Sequence, residues 1–473
     1  MTIEELADRI MQSESGVTAR MRAFRPIVEI YVQHVEAHET LGSVPLRDDY
    51  FLGQFEWTDE EGPRLRTLTP EKGTGQQLAE RLAHPLSLQL RPGGFAAMVV
   101  PDWRLLNSKG YAFKFLRREV LGEVRCLVLD VQPSVDSQDG FTGRIWVEDQ
   151  DFNIVRFNGI SRFRPRSTLM SKPYWFSVDS WRVNVLPAFW LPAYVYAEQE
   201  SDEGAKIKSQ VRLWGYDLTT IHAPAESPTN QIVRFATVEE HAEASVLDRL
   251  SKAGLLAPPG EVEKILETVA MNLQITNHLT IEPPVRTRVL LTSPIESFTV
   301  GHTIVMSRGL IDVLPDEASL ATMLAHELAH ITLGHRATDP KAAVADKLTV
   351  PDDELLAKVR AGHEPREEEA ADAKAIDLLK NSPYKDKLTD TGLFPRVVSG
   401  NSRKLKNLIQ PHIGARMDQI ATLPLGSRIV VDPWTGKVEL LRTPAVPLTS
   451  AREKASLSVT PLVPYLRYAV AKP

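Results

Sequence analysis

The chain has 473 residues, enough for two or three domains rather than one core. Hydrophobic residues make up 43% and charged residues 25%, the balance of an ordinary folded protein, and a net charge of −6 gives no footprint for nucleic acid. No stretch reaches the roughly 18 uninterrupted apolar residues of a membrane-spanning helix, because GFAAMVVP and VLPAFWLPAYVYA are short and broken by proline.

The first segment, MTIEELADRIMQSES, is acidic and amphipathic, unlike a signal or transit peptide. The expected compartment is therefore the cytoplasm if the chain is complete, and the periplasm or another exported location if a leader precedes it. Helices are expected over residues 3–12 and about 25–40. His34 and His38 stand four apart in the second, where they could pair on a metal, but no carboxylate is placed to match and a surface helix is the expectation.

Strand periodicity follows. Seven of the eight tryptophans fall between Trp57 and Trp214, among runs such as YFLGQFEW, YAFKFLRREVLG, EVRCLVLDVQP and KIKSQVRLWGYDL. VEDQDFN reads as a turn between two strands, and short turns between consecutive strands imply an antiparallel, strongly curved sheet within an N-terminal domain over 1–230. Cys126, the sole cysteine, lies in VRCLVLDV and reads as a small buried hydrophobe, with no internal disulfide and no thiol nucleophile expected. GRIWVEDQDFNIVRFNG, Gly143 to Gly159, resembles the LolA/LolB lipoprotein-carrier superfamily. That resemblance implies a half-barrel holding an apolar ligand in a bacterial periplasm; the alternative is that the tryptophans fill the core of a β-domain.

HAPAESPTN reads as linker, with a boundary near 221–236, and a second domain is expected over 236–425. It begins with two amphipathic helices, VEEHAEASVLDRLSKAGLL and PGEVEKILETVAMNLQITNHL. A third follows, with Asp316 as its cap, an apolar stripe of Leu320, Met323, Leu324, Leu328 and Ile331, and Gly334 as its stop.

This third helix carries His326, Glu327 and His330 in the order H-E-x-x-H. Positions i and i+4 share a helix face, so both imidazoles can reach one zinc ion at about 2.0–2.1 Å, and Glu327 is placed as general base for the attacking water. A chance occurrence would leave the histidines solvated or satisfied in a core. The third ligand decides between these. REEEAADAKAIDLLK, Arg366 to Lys380, is a further helix on which Glu368 and Asp372 share a face. Glu368 would complete a two-histidine, one-carboxylate site with one position left for water, and Asp372 could fix a ligand imidazole. Read alone, Glu367 to Glu369 is a solvated first turn complementing the helix dipole.

HELAHITLGH followed by EEAAD resembles the gluzincin metallopeptidases that include the CAAX prenyl proteases, HtpX and BepA-like enzymes, and the similarity covers roughly 240–420. The resemblance implies Glu368 as third ligand, Asp372 as the aspartate behind a ligand, and a substrate-binding hairpin edge at Phe298, Thr299 and Val300 that pairs with extended protein substrates. Two departures stand out. Where the family has Asn-Ala-Phe-Ala, this chain has Glu296, Ser297, Phe298 and Thr299; where it has His-Pro, this chain has Gln410-Pro411, with His412 two residues on. Arg416 is retained and could stabilise an oxyanion or tie helix ends, and Arg416, His412 and Tyr384 are the candidates for a second electrophile. His335 reads as a helix-end residue and His363 as a solvated loop residue near the cleft, within a 336–365 segment that could form a lid.

After about 425, IVVDPWTGKVELL reads as a hairpin turning at Pro433 to Gly436, followed by a proline-rich arm, together 426–473. The fold class expected is α+β: a curved antiparallel sheet domain and a mainly helical zincin-type domain with a substrate-edge hairpin. The function expected is that of an endopeptidase with one zinc ion per chain, acting on protein in bacterial envelope quality control or processing; the alternative is a lipid or protein carrier with a vestigial zinc site. Oligomeric state has no signature in the sequence.

Overall fold

The computed structural model describes residues 1–38, 42–58, 62–68, 110–134, 140–163, 174–200, 206–217, 238–314, 316–335, 350–360, 362–387, 404–409, 429–431 and 438–440. Helix α1 spans Ile3–Phe24, longer than the 3–12 expected. Thr2 and Glu5 form a reciprocal capping box at its start, and Arg25 in the left-handed region ends it one residue before Pro26. Ser13, Ser15 and Gly16 weaken the middle by propensity, but Val17, Met21 and Phe24 are almost fully buried and carry the helix through.

Ten strands follow: β1 Ile27–His38, β2 Gly42–Thr58, β3 Gly62–Thr67, β4 Tyr111–Leu121, β5 Val124–Pro133, β6 Gly140–Glu148, β7 Ile154–Phe163, β8 Tyr174–Leu186, β9 Phe189–Glu200 and β10 Lys206–Trp214. They form one antiparallel sheet in the order β3-β2-β1-β10-β9-β8-β7-β6-β5-β4. The chain meanders except where first meets last, Ile27 pairing with Trp214.

The helix expected over 25–40 is therefore wrong; that segment is β1. IVEIYVQ alternates, with Val28, Ile30 and Val32 in the core beneath α1 and Glu29, Tyr31 and Gln33 on the other face, and its β-branched residues favour a strand. In a strand, residues four apart are about 13 Å apart rather than one turn apart as on a helix, so the helical spacing on which the His34 and His38 pair rested is absent. His34 instead lies 3.0 Å from Asp49 Oδ2.

Helix α1 packs against β2, β4 and β9, so the sheet wraps round it. Leu6, Ile10, Val17, Met21 and Phe24 enter one buried cluster with Val28, Leu129, Phe141 and Val195 of the sheet. Among the described residues, the inner side of the curve is thus a packed core rather than an apolar groove. One ion pair is sealed into it: Arg182 of β8 donates to both carboxylate oxygens of Glu14 at 2.5 and 2.8 Å, with both side chains fully buried. On the outer face, Trp146, Trp181 and Trp190 are buried with Tyr31, Tyr194 and Cys126, and the Arg156 guanidinium lies over the Trp146 and Trp181 rings. These three tryptophans pack as core, whereas Trp175 is 42% exposed.

The second half comprises α2 Val238–Lys252, α3 Glu261–Thr276, β11 Arg286–Leu290, β12 Ser297–Val300, β13 Thr303–Ser307, α4 Arg308–Val313, α5 Glu317–Leu333, α6 Asp352–Val359 and α7 Pro365–Lys380. β11 runs parallel to β13 and β12 antiparallel to it, so that β13 is central and β12 forms one of the two edges among the described residues. The core of this half includes Ile27, Leu52 and Trp214 from the outer face of the large sheet, so the two halves share buried surface. Trp214 Nε1 also donates to the Gly254 carbonyl at 3.0 Å. β14 Ile429–Val431 and β15 Val438–Leu440 pair as the expected late hairpin; its turn, the linker at 221–236 and the proline-rich arm lie outside the described residues. No helix among the described residues is long and apolar enough to cross a membrane.

A candidate metal centre

Helix α5 is fixed at both ends by local chemistry. Asp316 accepts from Ser319 N at 2.8 Å, and Gly334 adopts φ 70° and donates back to the His330 and Ile331 carbonyls. Between these caps the helix is buried from Ala318 to His330 except at Thr322, with His326, Glu327 and His330 each 3% exposed or less. Helix α7 lies against it, started by Pro365 at its first turn and a capping box between Glu364 and Glu367. The i, i+4 pair Glu368 and Asp372 therefore faces the i, i+4 pair His326 and His330.

The four side chains converge. His326 Nε2 and His330 Nε2 are 2.7 Å apart, and Glu368 Oε2 lies 3.6 and 3.8 Å from them. One donor atom from each of these three residues lies within 4.8 Å of the other two, the one such group of histidine, cysteine, aspartate and glutamate found among the described residues. Donors held tetrahedrally at about 2.0–2.1 Å stand roughly 3.4 Å from one another; the carboxylate distances are near this and the two nitrogens are closer. The donor set fits zinc.

Each histidine is also held from behind. Asp372 Oδ1 is 2.9 Å from His326 Nδ1, which leaves Nε2 as the metal-facing nitrogen. Burial pushes the Asp372 carboxyl up to about 6. His330 Nδ1 is 3.2 Å from His335 Nδ1, the left-handed turn at Gly334 having brought the chain back so that His335 N also donates to the His330 carbonyl at 2.9 Å. The ring of His363 stacks on that of His330 with centroids 3.8 Å apart and planes 15° from parallel. The solvated reading of His363 is corrected: its side chain is 12% exposed and packs on a ligand candidate. The sequence signal for His335 was its five-residue spacing from His330 across a glycine; His363 has no local signal, because its loop is placed by the core.

Glu327 accepts a hydrogen bond from Ser297 Oγ at 2.7 Å on Oε1. Ser297 opens the edge strand β12, in which Phe298 and Val300 are buried and Thr299 is half-buried. The expected substrate edge thus lies beside the glutamate of the motif. Tyr384 does not reach this group: its hydroxyl donates to Glu317 Oε1 at 2.8 Å, nine residues before His326 and so about 13 Å along the helix. Arg416 and His412 lie outside the described residues.

Residues 258–348 match the model of peptidase family M48. The segment that carries HELAHITLGH is thus similar to the M48 peptidases, in line with the resemblance drawn from that motif. Glu368 and Asp372 fall beyond the matched residues, so it is the packing of α7 on α5 that joins them to the motif. No curated protein matches the chain. Among solved structures, a LolA superfamily protein from Nitrosomonas europaea is similar at 10% identity over 43% of this chain and 90% of that one, with a TM-score of 0.20. A putative outer membrane lipoprotein-sorting protein domain from Vibrio parahaemolyticus covers 44% and 91% at 10% identity and TM-score 0.20. A DUF1329 family protein from Desulfovibrio piger covers 45% and 93% at 11% identity and TM-score 0.21.

Proposed function

We propose that the chain is a zinc-dependent endopeptidase in which His326, His330 and Glu368 hold the metal and Glu327 is the general base. The observation that carries this is the convergence of three donor atoms from two helices with the carboxylate of Glu327 adjacent to them in sequence. When bound, zinc supplies a Lewis acid that polarises the scissile carbonyl and brings the pKa of water near 7. Glu327 takes the proton of the attacking water and passes it to the leaving amine, as one buried carboxylate can do in both directions. Asp372 and His335 hold the two imidazoles in the tautomer that presents Nε2.

Edge strand β12 selects extended segments, because a strand at the border of its sheet, as β12 is among the described residues, can add an extended chain alongside through backbone hydrogen bonds. The substrate class is therefore unfolded or extended protein. We place those substrates in the bacterial envelope on the resemblance of Gly143 to Gly159 to lipoprotein carriers, which fractionation of cells for the protein would test. A carrier with a vestigial site gains nothing from a buried, hydrogen-bonded glutamate between two ligand histidines.

The test compares wild type with Glu327→Gln for zinc content and casein cleavage. Both should hold about one zinc per chain, and the variant should lose cleavage by about 100-fold or more. Equal cleavage by the two proteins, or none by a fully zinc-loaded wild type, overturns the assignment.

A further inference from the structure

A buried chain of contacts runs from the large sheet to the motif helix. Strand alternation turns Glu29 of β1 away from α1, and it is 1% exposed. Its carboxylate accepts from Ser293 N at 2.5 Å, Ser293 Oγ at 2.6 Å and Tyr50 Oη at 2.9 Å. Ser293 lies in the link between β11 and β12. The rest of that link is equally constrained: Glu296, fully buried, accepts from Arg360 at 2.7 Å, and a Cβ at Gly309 would lie 1.8 Å from the Ser293 carbonyl oxygen. A second carboxylate of the large sheet acts on the same link, Asp48 accepting from Leu408 N at 2.7 Å while the Leu408 carbonyl accepts from Ile295 N at 2.6 Å. The next residue after this knot is Ser297, whose hydroxyl is on Glu327.

We infer that Glu29 and Ser297 are positioning residues for the base: Glu29 anchors the β11–β12 link to the large sheet, and the link sets Ser297, which holds the Glu327 carboxylate. This rests on the reading of Glu327 as general base. A carboxylate acting on a water must keep its orientation to a fraction of an ångström, and a hydroxyl donor on Oε1 removes its free torsion. The large sheet thereby has a role in catalysis that needs no ligand of its own.

The experiment uses the full zinc-loaded chain and a quenched fluorescent casein-derived peptide, measuring kcat, KM and zinc content. Ser297→Ala should lower kcat about 10-fold, with KM, zinc content and thermal midpoint held, and Ser297→Thr should restore it. Glu29→Gln should lower kcat in the wild-type background and leave it unchanged in the Ser297→Ala background, since coupled residues are not additive. If Glu29→Gln does not fold, Ser293→Ala removes one hydroxyl of the anchor and takes its place. The inference is overturned by a Ser297→Ala kcat within twofold of wild type, by a threonine variant as slow as the alanine one, or by anchor effects equal in both backgrounds. Those outcomes with an inactive Glu327→Gln leave the peptidase reading intact, whereas an active Glu327→Gln removes that reading itself.

Discussion

Removing the Asp372 carboxylate measures how much of the metal site is built from behind the ligands. Its Oδ1 lies 2.9 Å from His326 Nδ1, a hydrogen bond that becomes charge-assisted when the carboxylate is ionised. A bond of that kind contributes about 1.5–3 kcal/mol in a dry site, but the Asp372 side chain is 42% exposed, so water screens it towards the lower end. About 1.4 kcal/mol is tenfold in affinity, at the bottom of the roughly 10–100-fold range for partners behind metal ligands. Asp372→Ala should therefore weaken zinc binding about tenfold. Asp372→Asn keeps an acceptor and loses the charge, and should cost about threefold. Competition with a chromogenic chelator at pH 7.5 reads both, well above the value of about 6 to which burial raises the carboxyl. An Asp372→Ala affinity within twofold of wild type would show that His326 is oriented by its own helix and that the α7 contact is incidental.

Three further outcomes follow from buried or strained positions. Glu14→Ala leaves the Arg182 guanidinium uncompensated inside the sheet, so urea unfolding should show about 3–5 kcal/mol lost; a loss under 1 kcal/mol would mean that water reaches the pair. Burial pushes the Cys126 thiol up to about 12 because the thiolate is the disfavoured form. Iodoacetamide at pH 8 should leave native protein unlabelled and label it in denaturant, and rapid native labelling would refute the buried placement. Gly334→Ala meets no neighbour within 4 Å but must keep φ 70°, so thermal unfolding should show a loss of about 1 kcal/mol; an unchanged midpoint would mean that the helix end rearranges freely.

What the sequence determined by itself lies within single helices. His326 and His330 share a face, Glu368 and Asp372 share another, and Asp316 and Gly334 close the motif helix, because a turn of helix fixes these relations through backbone dihedrals alone. The strands from Tyr111 to Trp214 were equally plain, since alternation and turn residues are local signals. Ile27 to His38 was not, because a short apolar run with mixed spacing satisfies both periods until its partners β2 and β10 decide. Helix α1 beyond residue 12 likewise depended on the sheet that closes round it.

Only the tertiary structure placed α7 against α5, stacked His363 on His330, moved Tyr384 away to Glu317, and joined Ser297 to Glu327 and Glu29 to Ser293. The last two contacts bridge 30 and 264 residues of chain. Contacts of that range have no periodicity to announce them. They exist because two sheets and a bundle of helices bury their apolar faces together, and the polar groups caught between those faces must find partners there.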